Sequence, residues 1–179
     1  MRDTAIAGSL REPGRHDANV RTGVPSLGRM RYTLAMQTIL LIRHATATDR
    51  KLWKEADHLR PLTKSGHRQA QAIAEEVACV PIAQIRTSPA LRCVQTVEPL
   101  ATRAKIKMKV DKALMEGGEI KLPGKREAGL HIYCAHGDNI PALLDHLGID
   151  CMECKKGSIW MLKRDDDGEI TEVSYVKPA

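Results

Sequence analysis

The sequence predicts an α/β fold of three layers, α/β/α, with a mostly parallel central sheet and an antiparallel C-terminal hairpin. Three observations lead there. Short continuous apolar runs, "QTILLIR" (37–43) and "LHIYCA" (130–135), have the composition of strands buried on both faces. Between such runs lie amphipathic stretches of helical length, giving the order β-α-β-α-β-β-α-β-β. Near the end, "SIWMLKR" and "EITEVSYV" flank "DDDG", a hairpin signal.

The elements follow in order. Residues 1–35 are rich in Arg, Gly and Pro and have neither helical nor strand period. They are expected to be a disordered extension or the product of a start codon placed too early, with Met36 as the alternative start. A transit peptide fits less well, because Asp3, Glu12 and Asp17 interrupt an acid-poor pattern. After the strand at 37–43, "LTKSGHRQAQAIAEEVACV" (62–80) reads as a helix capped by Thr63, with Ala70, Ile73, Ala74, Val77 and Ala78 as its apolar stripe. "IAQIRTS" (82–88) reads as a strand. "SPALRCVQTVEPLATRA" (88–104) reads as a helix with Ser88 at its N-cap and Pro89 at its first position, kinked or ended early by Pro99. "KIKMKV" (105–110) alternates and reads as an edge strand. A helix from about Asn139 to Leu147 follows the strand at 130–135.

Composition narrows the function. The 179 residues suit one domain, residues 36–179, beyond the extension. Phe is absent and aromatics are 3%, so the core is aliphatic and base-stacking nucleic-acid modules are disfavoured. The net charge is +6, and residues 1–35 hold six Arg against three acids, half of that excess. The remainder fits a local anion site better than a broad basic face. No apolar run is long enough for a transmembrane helix and no signal peptide is visible, so no membrane partner is expected. Five Cys without a framework pattern point to free thiols and a cytoplasmic location. "CMEC" (151–154) has the spacing of half a zinc site or a redox pair. No second ligand pair accompanies it, so ordinary thiols are expected. The oligomeric state is not legible.

The first strand ends on Arg43 and His44. In open parallel sheets, ligands collect beyond the carboxyl ends of the strands. Arg92, in the first turn after the second long strand, and His136, after the 130–135 strand, reach the same rim. Two guanidiniums and two imidazoles together suit a tetrahedral dianion, most simply a phosphoryl group.

The segments "LIRHATA", "RPLTKSGHRQA", "SPALRCVQT" and "CAHGDNI", in this order, resemble the successive signatures of the histidine phosphatase superfamily, the phosphoglycerate-mutase-like clan. The resemblance runs from Met36 to the end of the chain. It is nearest to the small SixA-like phosphohistidine phosphatases, because little chain lies between the motifs. It implies His44 as nucleophile, Arg43 and Arg92 as phosphate ligands, and His136 as a stabiliser of the transferring group. Ala45 stands where the family usually has Gly. Glu116, in "ALMEGGEI", is the candidate proton donor, a role that SixA-like members can do without; read alone it is a solvated loop acid. Arg60 is set by the resemblance near the mouth of the site, and read alone is a surface arginine. Thr46 and Asp49 either line the phosphate loop or simply make turns.

The expected function is therefore a phosphatase working through a phosphohistidine on His44, with no metal and no cofactor. Its substrate is a protein phosphohistidine or a small phosphoester. Mutase activity is disfavoured, since retaining the intermediate needs an enclosed pocket. The rival from another class is a degenerate phosphate-binding or interaction module.

Overall fold

The computed structural model describes residues 37–77, 81–124 and 127–178. The readings made for residues 1–35, Met36, Ala78 and Cys79 lie outside the described residues. The described chain forms β1 (Gln37–Arg43), α1 (Lys64–Val77), β2 (Ile82–Thr87), α2 (Leu91–Ala104), β3 (Met108–Val110), β4 (Gly129–Ala135), α3 (Asn139–His146), β5 (Ile159–Arg164) and β6 (Ile170–Val176). Two single-turn 3-10 helices, Asp57–Leu59 and Lys112–Leu114, precede α1 and β4.

The six strands form one mixed sheet in the order β3-β2-β4-β1-β5-β6. The pairs β1–β4, β2–β4 and β2–β3 are parallel, while β1–β5 and β5–β6 are antiparallel. The expected hairpin is therefore present, and its second strand is an edge.

Alternation along β1 explains the layers. Leu40 and Ile42 face one side with Ile73 and Val77 of α1 and Val97 and Leu100 of α2. Ile39 and Leu41 face the other with Ile140 and Leu144 of α3, Trp160 and Tyr175. All four β1 side chains are fully buried, and truncating one, such as Ile42→Ala, costs roughly 2–5 kcal/mol.

Local chemistry sets the helix ends. Thr63 caps α1, its hydroxyl accepting from Gly66 N at 3.1 Å. Gly66 packs against the main chain of Thr46, where a Cβ would overlap the carbonyl oxygen. The expected Ser88 cap is corrected: α2 begins at Leu91 and Ala90 holds the cap position without a side-chain bond. Nor does Pro99 end α2, which continues to Ala104. Lys105 then turns left-handed (φ 56°) and its N–H closes the helix on Ala101 and Thr102. That cap takes up residues expected to begin β3, leaving only Met108–Val110 in the sheet. Among the described residues, no helix is long and apolar enough to cross a membrane.

Candidate active site

Strand register assembles the site. Arg43 lies opposite Ala135 in the β1–β4 pair, and Thr87 opposite Cys134 in the β2–β4 pair. The next residues, His44, His136 and Ser88, therefore leave the sheet at one level. His44 N donates to Ala135 O at 3.0 Å and Ser88 N to Cys134 O at 3.0 Å.

His44 is buried. Its Nδ1 lies 2.8 Å from the Ala45 carbonyl, which can only accept. That contact assigns the ring hydrogen to Nδ1 and leaves the Nε2 lone pair free. Burial, with further contributions from Arg92, His136 and Arg43, lowers the imidazole from 6.5 to about 3, against the opposing pull of the Ala45 carbonyl. His44 is thus a neutral base at ordinary pH. Ala45, fully buried, donates its N–H to Thr96 Oγ1 at 2.9 Å.

His136 is bracketed by donors and acceptors. Arg92 Nη2 approaches its Nδ1 at 3.4 Å, and Ser88 Oγ lies 2.9 Å from its Nε2. With Nδ1 accepting, Nε2 carries the hydrogen and donates to Ser88. The serine hydroxyl donates onward to Met115 sulfur. Cys93 Sγ also sits 3.6 Å from His136 Nε2. Burial alone would raise that thiol, but the contacts with Cys134 and His136 and the charge of Arg92 outweigh burial and lower it.

Arg43 and Arg92 supply the cations. Arg43 Nη1 donates to the Cys154 carbonyl, and the main chain of Gly137 packs so closely on its guanidinium that a Cβ would collide with it. Arg92 is fully buried. Its Nη1 donates to Asp57 O at 2.9 Å and pairs with Asp57 Oδ2 at 3.1 Å; its Nη2 pairs with Glu116 Oε1 at 3.0 Å. The Nε atoms of both arginines are buried and unpartnered. A buried cationic donor without an acceptor is costly, and an oxyanion would supply acceptors.

The Glu116 backbone is pinned on both sides. Asn139 Nδ2 donates to the Met115 carbonyl at 3.1 Å, and Gly117 N donates to Asp138 Oδ2 at 2.6 Å. The Glu116 carboxylate then reaches the corner of Arg92 and His136, with Oε1 3.7 Å from His136 Nδ1. Arg60, 5% exposed, is no surface residue: its Nε pairs with Asp57 Oδ1 at 3.0 Å and its Nη1 donates to Thr48 O at 2.8 Å. The hydrogen bonds of Thr46 run instead to α1, where its amide and hydroxyl both meet Gln69 Oε1 at 3.0 Å.

Four contributors escaped sequence reasoning. Asp57 accepts from Arg50, Arg60 and Arg92; burial alone would raise its carboxyl, but the three arginines outweigh burial and lower it. Arg50 joins Asp57 to Glu116. Ser88 orients His136 instead of capping α2. Asn139 ties His136 N to the Leu114–Met115 segment. For Ser88 a signal existed, since it leaves the same strand end that carries Arg92 toward the rim.

"CMEC" also has a visible place. Cys151 and Cys154 are half-buried against the second apolar cluster. Among the described residues, no group of three or more His, Cys, Asp or Glu is arranged to hold a metal.

Comparison with known proteins gives relatives in sequence and in fold. A curated relative, the 8-oxo-(d)GTP phosphatase of Mycolicibacterium smegmatis, is 29% identical over 157 residues, which cover 79% of this chain and 48% of the relative. The chain thus spans about half the length of that relative. A SixA protein from Nakamurella multipartitia has the same fold, with TM-score 0.62 and 22% identity over 80% of this chain and 97% of the other. So does the protein histidine phosphatase SixA complexed with tungstate, with TM-score 0.62 and 19% identity over 79% and 95%. A phosphoserine phosphatase from Entamoeba histolytica is similar at TM-score 0.58 and 15% identity over 79% and 98%. The family profile of the histidine phosphatase superfamily (branch 1) matches residues 39–132, more than half of the chain, from within β1 into β4. As that match covers more than half of its length, this chain belongs to the histidine phosphatase superfamily.

Proposed function

We propose that the chain is a phosphatase that hydrolyses phosphoryl groups through a phosphohistidine on His44. One observation carries this reading. His44 is a buried, neutral imidazole with a free Nε2, lying among two arginines whose Nε donors have no partner.

In the first step Nε2 attacks phosphorus in line, the Nε2–P bond forms, and the bond to the leaving group breaks. Arg43 and Arg92 neutralise charge on the equatorial oxygens, and His136, accepting from Arg92 at Nδ1, holds that guanidinium in place. Glu116 takes up the proton that the substrate monoanion brings and passes it to leaving groups that need one. In the second step water attacks phosphorus, its proton passes to Glu116, the Nε2–P bond breaks, and phosphate departs. Guanidinium donors supply the charge neutralisation, so the reaction needs no metal. Arg60, through Asp57, and Thr46, through α1, support the loop that carries these groups.

The favoured substrate class is a protein phosphohistidine, whose imidazole leaving group asks little of an acid. A second reading is a small-molecule phosphohydrolase acting on nucleotide-like phosphates; the 29% identical relative named for 8-oxo-(d)GTP supports it. Thiols at Cys93, Cys134, Cys151 and Cys154, all free, support a reducing, cytoplasmic setting.

Rapid quench with labelled aryl phosphate, in the presence of a chelator, tests the mechanism. The expected result is an acid-labile, base-stable phosphoenzyme that His44→Ala abolishes together with turnover. Full activity in His44→Ala would refute the mechanism. Absence of turnover in the parent would favour the degenerate binding module.

A further inference from the structure

Resting on the reading of the site as a phosphoryl site, we infer that Arg50 is a positioning residue: it holds the Glu116 carboxylate beside the oxyanion seat on Arg92. Glu116 Oε1 lies 3.0 Å from Arg92 Nη2 and 3.7 Å from His136 Nδ1. An acidic oxygen in that corner occupies the position that suits a phosphoryl oxygen. Glu116 is therefore an internal competitor for the anion the site binds.

Arg50 offers the same carboxylate a second seat. Its Nη2 reaches both Glu116 oxygens at 2.8 Å. Its Nε pairs with Asp57 Oδ1 at 2.9 Å, and Asp57 is fixed in turn by Arg60 and Arg92. The two seats differ in depth: the Arg92 side chain is 1% exposed, whereas that of Arg50 is 59% exposed and forms the rim. When a phosphoryl oxygen takes Arg92 Nη2, Glu116 keeps its bonds to Arg50, and no carboxylate is left unpaired at the mouth. Its carboxyl stays on the outer side, where the leaving group departs. A lysine cannot do this fully, because one ammonium does not span Asp57 and Glu116 as a planar fork does.

Competitive inhibition of aryl phosphate hydrolysis by orthovanadate reads this exchange. The proteins are the parent, Arg50→Ala, Arg50→Lys, Glu116→Gln and the double variant Arg50→Ala/Glu116→Gln. Arg50→Ala is expected to weaken vanadate binding about fivefold, the upper end for an exposed ion pair. Arg50→Lys should recover part of that loss, and Glu116→Gln should tighten binding. In the Glu116→Gln background, Arg50→Ala should have no further effect, because its influence passes through Glu116. An unchanged inhibition constant in Arg50→Ala overturns the inference. So does an equal loss in both backgrounds, which would mark Arg50 as a plain distant charge. A parent inert to aryl phosphate and to vanadate would overturn the phosphoryl-site reading itself.

Discussion

His44 and His136 meet edge to face, with ring centroids 5.5 Å apart and planes at 64°. They follow neighbouring parallel strands, and their opposed tautomers give them different work. His44 keeps Nδ1–H for the Ala45 carbonyl and offers Nε2 as a lone pair. His136 keeps Nε2–H for Ser88 and accepts from Arg92 at Nδ1. The pair thus sets one free ring nitrogen beside an imidazole whose two nitrogens are both engaged.

The lowered His44 value makes stability depend on pH. The unfolded imidazole titrates near 6.5 and the folded one near 3. Between those values the unfolded chain binds the extra proton, so stability rises with pH there. The His44 contribution is whole above pH 6.5 and is lost as pH falls toward 3. Urea midpoints measured across that window should fall more steeply for the parent than for His44→Gln. Parallel slopes would contradict a buried neutral His44.

Ser88→Ala should slow turnover by up to about 100-fold, the scale of a small misplacement in a reacting group. It leaves His136 Nε2–H without its acceptor, a loss of about 1–3 kcal/mol in stability. Ser88→Thr keeps the hydroxyl and should restore part of kcat. A purely structural serine would shift the melting temperature and leave kcat untouched.

Arg92→Lys should depress kcat/KM by roughly 100-fold or more, the loss typical of one transition-state donor. The ammonium cannot serve Asp57 and Glu116 from one plane while also presenting a third donor. Near-normal rates would place Arg92 outside the chemistry.

For Glu116→Gln the leaving group decides. An alkoxide needs a proton, a phenolate less, and an imidazole leaving phosphohistidine little. The variant should slow alkyl phosphates far more than aryl phosphates or phosphohistidine peptides, compared as kcat/KM. A uniform ratio across the three would remove Glu116 as the acid.

Gly66→Ala should destabilise the fold by about 1–3 kcal/mol, the range for an added methyl with no room. Here the obstacle is the Thr46 carbonyl oxygen, a main-chain atom that also accepts from Thr63. Thermal melts would show the loss, and an unchanged melting temperature would mean that the close helix–loop contact is relaxed in solution.

The legible part of this protein was its periodicity. Apolar runs gave β1 and β4 nearly to the residue, and the order of elements placed Arg43, His44, Arg92 and His136 at strand ends that the register then brings level. What stayed hidden depends on tertiary approach. Asp57 accepts from arginines 7, 3 and 35 positions away, a convergence with no local signature. Ser88 was misread because Ser-Pro so often opens a helix, whereas here its hydroxyl is already committed to His136. The support of Arg43 comes from the main-chain carbonyl of Cys154, and the identity of that side chain says nothing about it. Arg60 read alone as a surface residue because a carboxylate three positions before it looks like ordinary solvated charge.

That carbonyl also bears on how the candidate site is completed during synthesis. Arg43 belongs to the first strand, yet its frame comes from far downstream. Cys154 accepts from its guanidinium, Gly157 N donates to the carbonyls of Arg43 and His44, and Ser158 O receives the Arg43 amide. β1 itself lies between β4 and β5, so neither of its flanking partners exists until most of the chain has been made. A nascent chain still attached to the ribosome through its last strands holds the histidine and arginine motifs without the geometry that gives them use. Premature termination anywhere before the closing hairpin would therefore yield an aggregation-prone product with an incomplete site and a central strand open on its β5 side.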